Sequence, residues 1–69
     1  MALRVTINGE ERSLNRSVSV DVLLAQLGFE PAKIAVERNR EIVPRSKYRD
    51  VIVVEGDRLE IVQFIGGGM

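Results

Sequence analysis

The stretch LRVTINGEERSLN, residues 3–15, carries the strongest fold signal in the chain. Its first five residues alternate apolar and polar side chains, which is typical of a half-buried strand. Asn8 and Gly9 follow, and this dipeptide accepts the positive φ angles of a type I′ turn. The stretch therefore predicts a β-hairpin whose second strand, residues 10–14, returns antiparallel to the first.

A short helix is predicted in the next stretch, SVSVDVLLAQLGFEP, residues 17–31. Ser19 is placed to cap its N-terminus, and Gly28 suits the left-handed conformation that ends many helices. The apolar residues recur at the spacing of one helix face: Val20, Leu23, Leu24 and Leu27. A helix with one apolar face has to lie on another element, and a sheet is the available surface.

Three further extended segments follow the helix. Alternation in KIAVE, residues 33–37, predicts a third strand. Ile42 and Val43 begin a short fourth strand, which Pro44 marks as an edge or an ending. The last strand is RLEIVQF, residues 58–64, and it is the clearest strand after the first.

This element order defines the expected fold. A hairpin, a crossing helix and a strand that returns beside the first strand suit a mixed sheet of four to five strands with the helix on one face. Such an α+β arrangement is the β-grasp, or ubiquitin-like, roll, although composition and spacing also permit another small α+β fold. We expect one domain over residues 1–65 and a flexible glycine-rich tail at residues 66–69.

Composition argues against several classes of function. Ten basic and ten acidic residues cancel, so a general attraction to nucleic-acid phosphates is not expected. The chain has no Cys and no His, which removes the usual zinc ligands and predicts no metal site. The longest aliphatic run, VIVV at residues 51–54, is far too short to cross a bilayer, and the first residues lack the apolar run of a signal peptide. We therefore expect a cytoplasmic protein without nucleic-acid or membrane partners.

Three consecutive glycines, Gly66, Gly67 and Gly68, follow the last strand. The four residues beyond Ile65 extend at most about 13 Å, which is enough to enter the cleft of a partner protein. Because glycine has no Cβ, the chain can thread a narrow channel and approach a nucleotide closely. The reacting group would be the terminal carboxylate, which an ATP-using partner could convert into an acyl adenylate. The protein would then be a substrate or carrier without a catalytic residue or bound cofactor of its own.

The tail needs a docking surface on the folded body, because ordering each of its residues costs about 1–2 kcal/mol of backbone entropy. In the last strand Leu59 and Ile61 point to one side, whereas Val62 and Phe64 point to the other. The side opposite the helix is therefore the candidate docking surface, formed by Val62 and Phe64 with Ala35 beside them. The alternative is that Phe64 only covers the rim of the sheet.

Four segments together resemble the sulfur carrier proteins of thiamine biosynthesis, the ThiS family. The resemblance runs along nearly the whole chain, and its most specific parts are VPRS, GDRLEIVQ and the terminal glycines. The four segments are TINGE (6–10), VSVDVLLAQLG (18–28), AVERNREIVPRSKY (35–48) and EGDRLEIVQFIGGG (55–68).

The resemblance implies a β-grasp fold and a partner similar to ubiquitin-activating enzymes, which uses ATP and Mg²⁺ to adenylate the C-terminal glycine. A sulfur donor such as a cysteine desulfurase then provides the sulfur of a thiocarboxylate, which thiazole synthase consumes. Gly67 and Gly68 occupy the diglycine of the family, and Gly68 is the implied reactive terminus. Met69 departs from that pattern: it is removed first, or it is an addition from cloning, or this copy is inactive as written.

Three functional interpretations stay open at this point. The first is a sulfur carrier for thiazole formation. The second is a carrier of the molybdopterin type or a ubiquitin-like modifier that joins lysines, and the third is a β-grasp interaction module whose tail has no role. In all three, Asp57 and Arg58 are expected to be turn and solvated-surface residues.

Overall fold

The computed structural model describes residues 2–64, and Met1 and residues 65–69 lie outside the described part. Within the described residues, five strands and one α-helix follow one another in the predicted order. Their bounds are β1 (Leu3–Ile7), β2 (Glu10–Leu14), α1 (Val20–Leu27), β3 (Ile34–Arg38), β4 (Glu41–Val43) and β5 (Arg58–Gln63). Two single 3-10 turns, Pro31–Lys33 and Arg45–Lys47, precede β3 and follow β4.

The strands form one mixed sheet in the order β2-β1-β5-β3-β4. The hairpin partners β1 and β2 are antiparallel, as are β3 and β4. β5 runs parallel to β1 on one side and antiparallel to β3 on the other. The last strand of the sequence therefore lies in the middle of the sheet, and the predicted β-grasp roll is confirmed.

α1 packs on one face of this sheet and has the predicted ends. The Ser19 hydroxyl accepts a hydrogen bond from the Val22 N–H at 3.2 Å, which caps the first turn. Gly28 has a φ of 84°, and its N–H donates to the carbonyl of Ala25, so the helix ends in the left-handed conformation. Its buried residues belong to the same core cluster as alternate residues of β1, β3 and β5.

The core lies between the helix and the inner face of the sheet. Tyr48 and Val53 join it from the segment between β4 and β5, and each is almost fully buried. The remaining buried apolar residues are Val5, Ile7, Val20, Leu23, Leu24, Ile34, Val36, Val43, Leu59 and Ile61. Because the inner residues of β5 belong to this cluster, the strand that leads to the glycines is held by the centre of the core.

Both hairpins turn through positive φ angles. Asn8 has a φ of 52°, and Gly9 has a φ of 83°. Between β3 and β4, Asn39 has a φ of 51° and Arg40 a φ of 71°. A turn with two positive φ angles matches the twist of the flanking strands, but Arg40 has a Cβ that disfavours this conformation. The second hairpin is therefore strained at one residue.

No helix in residues 2–64 is both long enough and apolar enough to cross a membrane.

Candidate functional site

The end of β5 presents different side chains to the two faces of the sheet. Leu59 and Ile61 point toward α1 and are 1% and 6% exposed. Val62 and Phe64 point away from the helix and are 58% and 52% exposed. The predicted orientation of these four side chains is confirmed, whereas the docking role of Val62 and Phe64 stays a prediction.

A small apolar surface surrounds the exposed side chains of β5. Ala35 lies directly opposite Val62 in the β3–β5 pair, as expected, and is half-buried. The Phe64 N–H donates to the carbonyl of Lys33 at 2.9 Å, which extends the strand pairing one residue beyond β5. We call Ala35, Val62 and Phe64 the outer patch. It lies immediately before the segment that contains the glycines.

Two carboxylates and a further apolar side chain border the outer patch. Glu37 and Glu60 face each other across β3 and β5, and Ile42 lies opposite Glu37 on β4. Ile42 is 68% exposed because its neighbour Val43 takes the position that faces the core. Sequence reasoning did not assign Ile42 to this face, although two adjacent apolar residues in one strand have to point to opposite faces.

The predicted tail lies outside the described residues. Gly66, Gly67 and Gly68, together with Met69, follow Ile65 in the part of the chain that the structure does not describe. The candidate reaction site at Gly68 therefore stays a prediction. What the structure places is the origin of this segment, at the end of the central strand.

The start of β5 is fixed by a buried carboxylate. Asp57 is 3% exposed and accepts hydrogen bonds from Arg38 Nε at 2.9 Å, Asn39 Nδ2 at 3.1 Å and the Val54 N–H at 2.9 Å. The prediction that Asp57 is a solvated residue was wrong, whereas Arg58 is exposed as expected. An acidic residue before β5 and Arg38 at the end of β3 become neighbours only through the strand pairing.

The electrostatic setting of Asp57 favours its charged form. Burial acts to raise its pKa, but the hydrogen bonds from Val54, Arg38 and Asn39, together with the charge of Arg38, lower it more. The net effect holds the pKa of Asp57 below its ordinary value. Asp57 is therefore a structural anchor that is ionised at neutral pH, and it lies at the opposite end of β5 from the glycines.

A second anchor holds the middle of β5. The side chain of Asn8 accepts a hydrogen bond from the Ile61 N–H through Oδ1 at 2.7 Å and donates to the Ile61 carbonyl through Nδ2 at 3.2 Å. Sequence reasoning assigned Asn8 only to the turn. The contact joins residues 53 positions apart, so no local signal could have revealed it.

The described residues offer no evident place for a metal ion. Within residues 2–64, no three His, Cys, Asp or Glu side chains are grouped in a way that could hold one.

Comparison with known proteins agrees with this architecture. The chain is 56% identical over 66 residues to a thiazole synthase of Paramagnetospirillum magneticum, and the match covers 96% of this chain but 20% of that relative. It is 35% identical over 63 residues to the sulfur carrier protein ThiS of Bacillus subtilis, covering 90% of this chain and 96% of that one. A crystal structure of the thiamine biosynthesis protein ThiS from Geobacter metallireducens superposes with a TM-score of 0.83 at 30% identity, covering 96% of this chain and 100% of that one.

The extent of these matches differs. The chain spans a fifth of the length of the thiazole synthases that it matches, but nearly the whole length of the B. subtilis carrier. The family model described as ThiS family matches residues 5–68, a range that includes most of β1, all of the other four strands, the helix and the three consecutive glycines. The chain therefore belongs to the ThiS family of sulfur carrier proteins.

Proposed function

We propose that this protein carries sulfur for thiazole formation in thiamine biosynthesis, as a thiocarboxylate on Gly68. The observation that supports this most directly is the extent of the family match, which runs through β5 and the glycines and ends at Gly68. The structure adds a body whose last strand emerges beside an exposed apolar surface. A carrier needs both features, because its own end has to react inside another protein.

The proposed chemistry has two steps. An oxygen of the Gly68 carboxylate attacks the α-phosphorus of ATP, pyrophosphate leaves, and an acyl adenylate forms. A sulfur nucleophile then attacks the acyl carbon and AMP leaves, so the net change on the carrier is one oxygen replaced by one sulfur. ATP, Mg²⁺ and the groups that stabilise the transition states are supplied by an adenylating partner similar to ubiquitin-activating enzymes. Free sulfide gives the thiocarboxylate directly. A donor such as a cysteine desulfurase supplies the sulfur as a persulfide, whose attack gives an acyl disulfide; a thiol reductant then cleaves the S–S bond and releases the thiocarboxylate.

The folded body contributes binding and position. Ordering the segment from Ile65 to Gly68 costs about 1–2 kcal/mol per residue, so the segment alone binds weakly. Exposed apolar groups of the outer patch can offset this cost, at roughly 25 cal/mol for each Å² of apolar surface removed from water. Phe64 has the largest side chain of the outer patch and is its member nearest to the glycines, so we assign it the central docking role together with Val62.

The proposed acceptor of the sulfur is a thiazole synthase. Relatives that carry this name contain a segment similar to the present chain over 66 residues, at 56% and 42% identity. A carrier-like segment joined to such a protein supports a functional link between the two. We therefore propose that the thiocarboxylate of this protein is consumed when the thiazole ring is built.

The chemistry needs a free carboxylate on Gly68. Met69 follows Gly68 in this sequence, so we propose that Met69 is removed before activation. The mass of the protein isolated from its native host tests this step directly. A native chain that keeps Met69 contradicts the proposal that Gly68 is the reactive terminus.

The decisive experiment is intact-mass measurement after activation. The protein ending at Gly68 is incubated with ATP, Mg²⁺, a sulfur source and the adenylating enzyme of the same organism, with a variant lacking Gly67 and Gly68 as the control. We expect a mass increase equal to the difference between sulfur and oxygen in the complete protein and none in the control. An unchanged mass in the complete protein contradicts the proposal and favours an interaction module. Attachment to a lysine of another protein favours a modifier.

A further inference from the structure

A short segment after β4 carries three positive charges in a chain whose net charge is zero. Residues 45–49, RSKYR, contain Arg45, Lys47 and Arg49 and no acidic residue. All three cationic side chains are exposed, and none of them forms an ion pair within residues 2–64. We call residues 45–49 the basic turn. The chemistry proposed above does not use it.

The main chain of the basic turn is fixed by the core. Val43 before the turn and Tyr48 inside it are buried, at 7% and 3% exposure. The Lys47 N–H donates to the Pro44 carbonyl at 2.8 Å, and the Tyr48 N–H donates to the Arg45 carbonyl at 3.1 Å. The backbone at Arg45 therefore needs no ordering when another molecule binds its side chain.

The Arg45 side chain extends from the basic turn toward the start of β3. Its Nη2 donates to the Ala32 carbonyl at 3.5 Å. Burial raises the pKa of the Tyr48 phenol, and the charge of Arg45 acts in the opposite direction with a smaller effect. The guanidinium therefore lies near both the Tyr48 phenol and the 3-10 turn that precedes β3.

The guanidinium of Arg45 keeps most of its capacity to donate hydrogen bonds. The distance to Ala32 is long for an N–H···O bond, which is typically about 2.9 Å. In the described part of the chain this is the only hydrogen bond of the Arg45 side chain. A guanidinium has five N–H donors in a planar fork, so a second group can be bound without breaking a strong contact.

Arg45 lies at the end of the sheet where β5 finishes. The Phe64 N–H donates to the Lys33 carbonyl at 2.9 Å, and Arg45 bonds the carbonyl of the preceding residue, Ala32. Two hydrogen bonds and one residue step thus place the guanidinium within about 11 Å of the Phe64 main chain. Arg45 therefore borders the Phe64 end of the outer patch. The Lys47 side chain makes no hydrogen bond to this region within residues 2–64.

We propose that Arg45 is a docking residue whose guanidinium binds a carboxylate of the adenylating partner beside Phe64. This inference rests on the proposed function, under which a partner covers the outer patch. A carboxylate is the matching group because a planar guanidinium binds it through two parallel N–H···O bonds. Arginine and aromatic side chains are both enriched at protein interfaces, and here one of each lies at the same end of the sheet.

Arg45→Ala and Lys47→Ala are a matched pair of test variants. Each removes one exposed cation from the basic turn, so the net charge changes equally. We expect the Kd for the adenylating enzyme, measured by titration calorimetry without nucleotide, to rise about tenfold for Arg45→Ala and less than about threefold for Lys47→Ala. Equal Kd values for the two variants overturn the proposal, because they reflect the overall charge alone.

Sulfur exchange by the two variants distinguishes docking from a disturbed structure. We expect Arg45→Ala to raise the KM for the carrier about tenfold and to leave kcat unchanged, because the reacting group is intact. A lower kcat with an unchanged KM overturns the docking role.

The unmodified protein gives a measurement that needs no variant. We expect the Arg45 Nε–H signal in ¹⁵N-resolved spectra to shift when the adenylating enzyme binds, and its proton to exchange with water at least about tenfold more slowly, since a carboxylate then holds it. An unchanged signal overturns the proposal, even if Arg45→Ala fails to fold.

Two further outcomes assign Arg45 to another ligand and overturn the proposal. A guanidinium also binds phosphate, so an effect of Arg45→Ala that appears only when ATP is present assigns the side chain to the nucleotide. Weaker binding of Arg45→Ala to thiazole synthase, with unchanged binding to the adenylating enzyme, assigns it to the sulfur acceptor.

The outcome separates this inference from the proposed function. If the unmodified protein exchanges oxygen for sulfur while Arg45→Ala and Lys47→Ala bind equally well, the docking role of Arg45 fails and the carrier function stands. If the unmodified protein shows no such exchange, the carrier function itself fails.

Discussion

Replacing Asp57 by Asn tests whether a buried carboxylate holds the start of β5. The substitution keeps the shape of the side chain but turns one oxygen into a donor. Asp57 Oδ2 accepts from both Arg38 and the Val54 N–H, and Oδ1 accepts from Asn39. An amide at this position has to direct its NH₂ group at one of these donors, so at least one hydrogen bond is replaced by a repulsive contact.

The magnitude follows from the number and burial of these contacts. Removing one partner of a fully buried ion pair costs about 3–5 kcal/mol, but the Arg38 side chain is 32% exposed and can regain water. Loss of a hydrogen bond to a charged acceptor costs about 1.5–3 kcal/mol. We therefore expect Asp57→Asn to lower the free energy of unfolding by about 2–3 kcal/mol. The total free energy of unfolding of a domain of this size is roughly 3–10 kcal/mol, so the expected change is a large fraction of its stability.

The pH dependence has a definite sign. The pKa of Asp57 is lowered from its usual 3.8 in the folded state, so the folded protein binds this proton less readily than the unfolded chain. The stability from Asp57 is thus fully present above the unfolded pKa, and it is lost as the pH falls through the folded pKa. We expect the difference in unfolding free energy between the unmodified protein and Asp57→Asn to shrink below about pH 4.

Urea unfolding followed by circular dichroism measures both effects. Curves are recorded at neutral pH and at successively lower pH for the unmodified protein, Asp57→Asn and Arg58→Ala. The Arg58 variant is the control, because its side chain is exposed next to Asp57, and it should change stability by less than about 0.5 kcal/mol. Either of two results refutes this account. The first is that Asp57→Asn lowers the free energy of unfolding by less than about 0.5 kcal/mol at neutral pH; the second is that the difference in unfolding free energy between the two proteins does not shrink in acid.

Three other substitutions test further parts of the structure. Asn8→Gly keeps a residue that tolerates the positive φ but removes both side-chain hydrogen bonds to Ile61. We expect the free energy of unfolding in urea to fall by about 1–2 kcal/mol and the Ile61 amide to exchange faster. Unchanged exchange of this amide contradicts the anchor role of Asn8. Arg40→Gly relieves the Cβ strain of its turn and should raise the unfolding free energy by about 0.5–1 kcal/mol. A loss of about 0.5–1 kcal/mol, which is the full entropic cost of a glycine, contradicts the strain. Phe64→Ala should change stability by less than about 0.5 kcal/mol but raise the Kd for the adenylating enzyme at least about tenfold, and an unchanged Kd in calorimetry removes Phe64 from the docking surface.

Much of the fold was predictable because its signals are local. The alternation in β1, the Asn8-Gly9 turn and the capped helix each depend on residues a few positions apart. The two faces of β5 followed from strand periodicity alone. These patterns also favour a sheet covered by the helix on one face, since a short amphipathic helix has few other surfaces on which to bury its apolar side.

The anchors of β5 were not predictable for the opposite reason. Asp57 is hydrogen-bonded to Arg38, which lies 19 positions earlier in the sequence, and Asn8 is hydrogen-bonded to Ile61, which lies 53 positions later. Each contact depends on the register of strands that are distant in sequence, and the side chains involved are of types common on protein surfaces. A polar residue beside a turn gives the same local pattern whether it is solvated or buried, so only the tertiary structure distinguishes the two cases.

The two anchors and the candidate binding groups occupy different parts of the same strand. Asp57 lies before β5 and Asn8 holds its middle, whereas Val62 and Phe64 are at its far end. Asp57 and Phe64 are seven positions apart in extended chain, which is roughly 23 Å. A partner that pulls on the glycine segment therefore acts on a strand already fixed behind the binding groups. This arrangement lets another protein bind the end of the chain while the core stays folded, which the proposed carrier function requires.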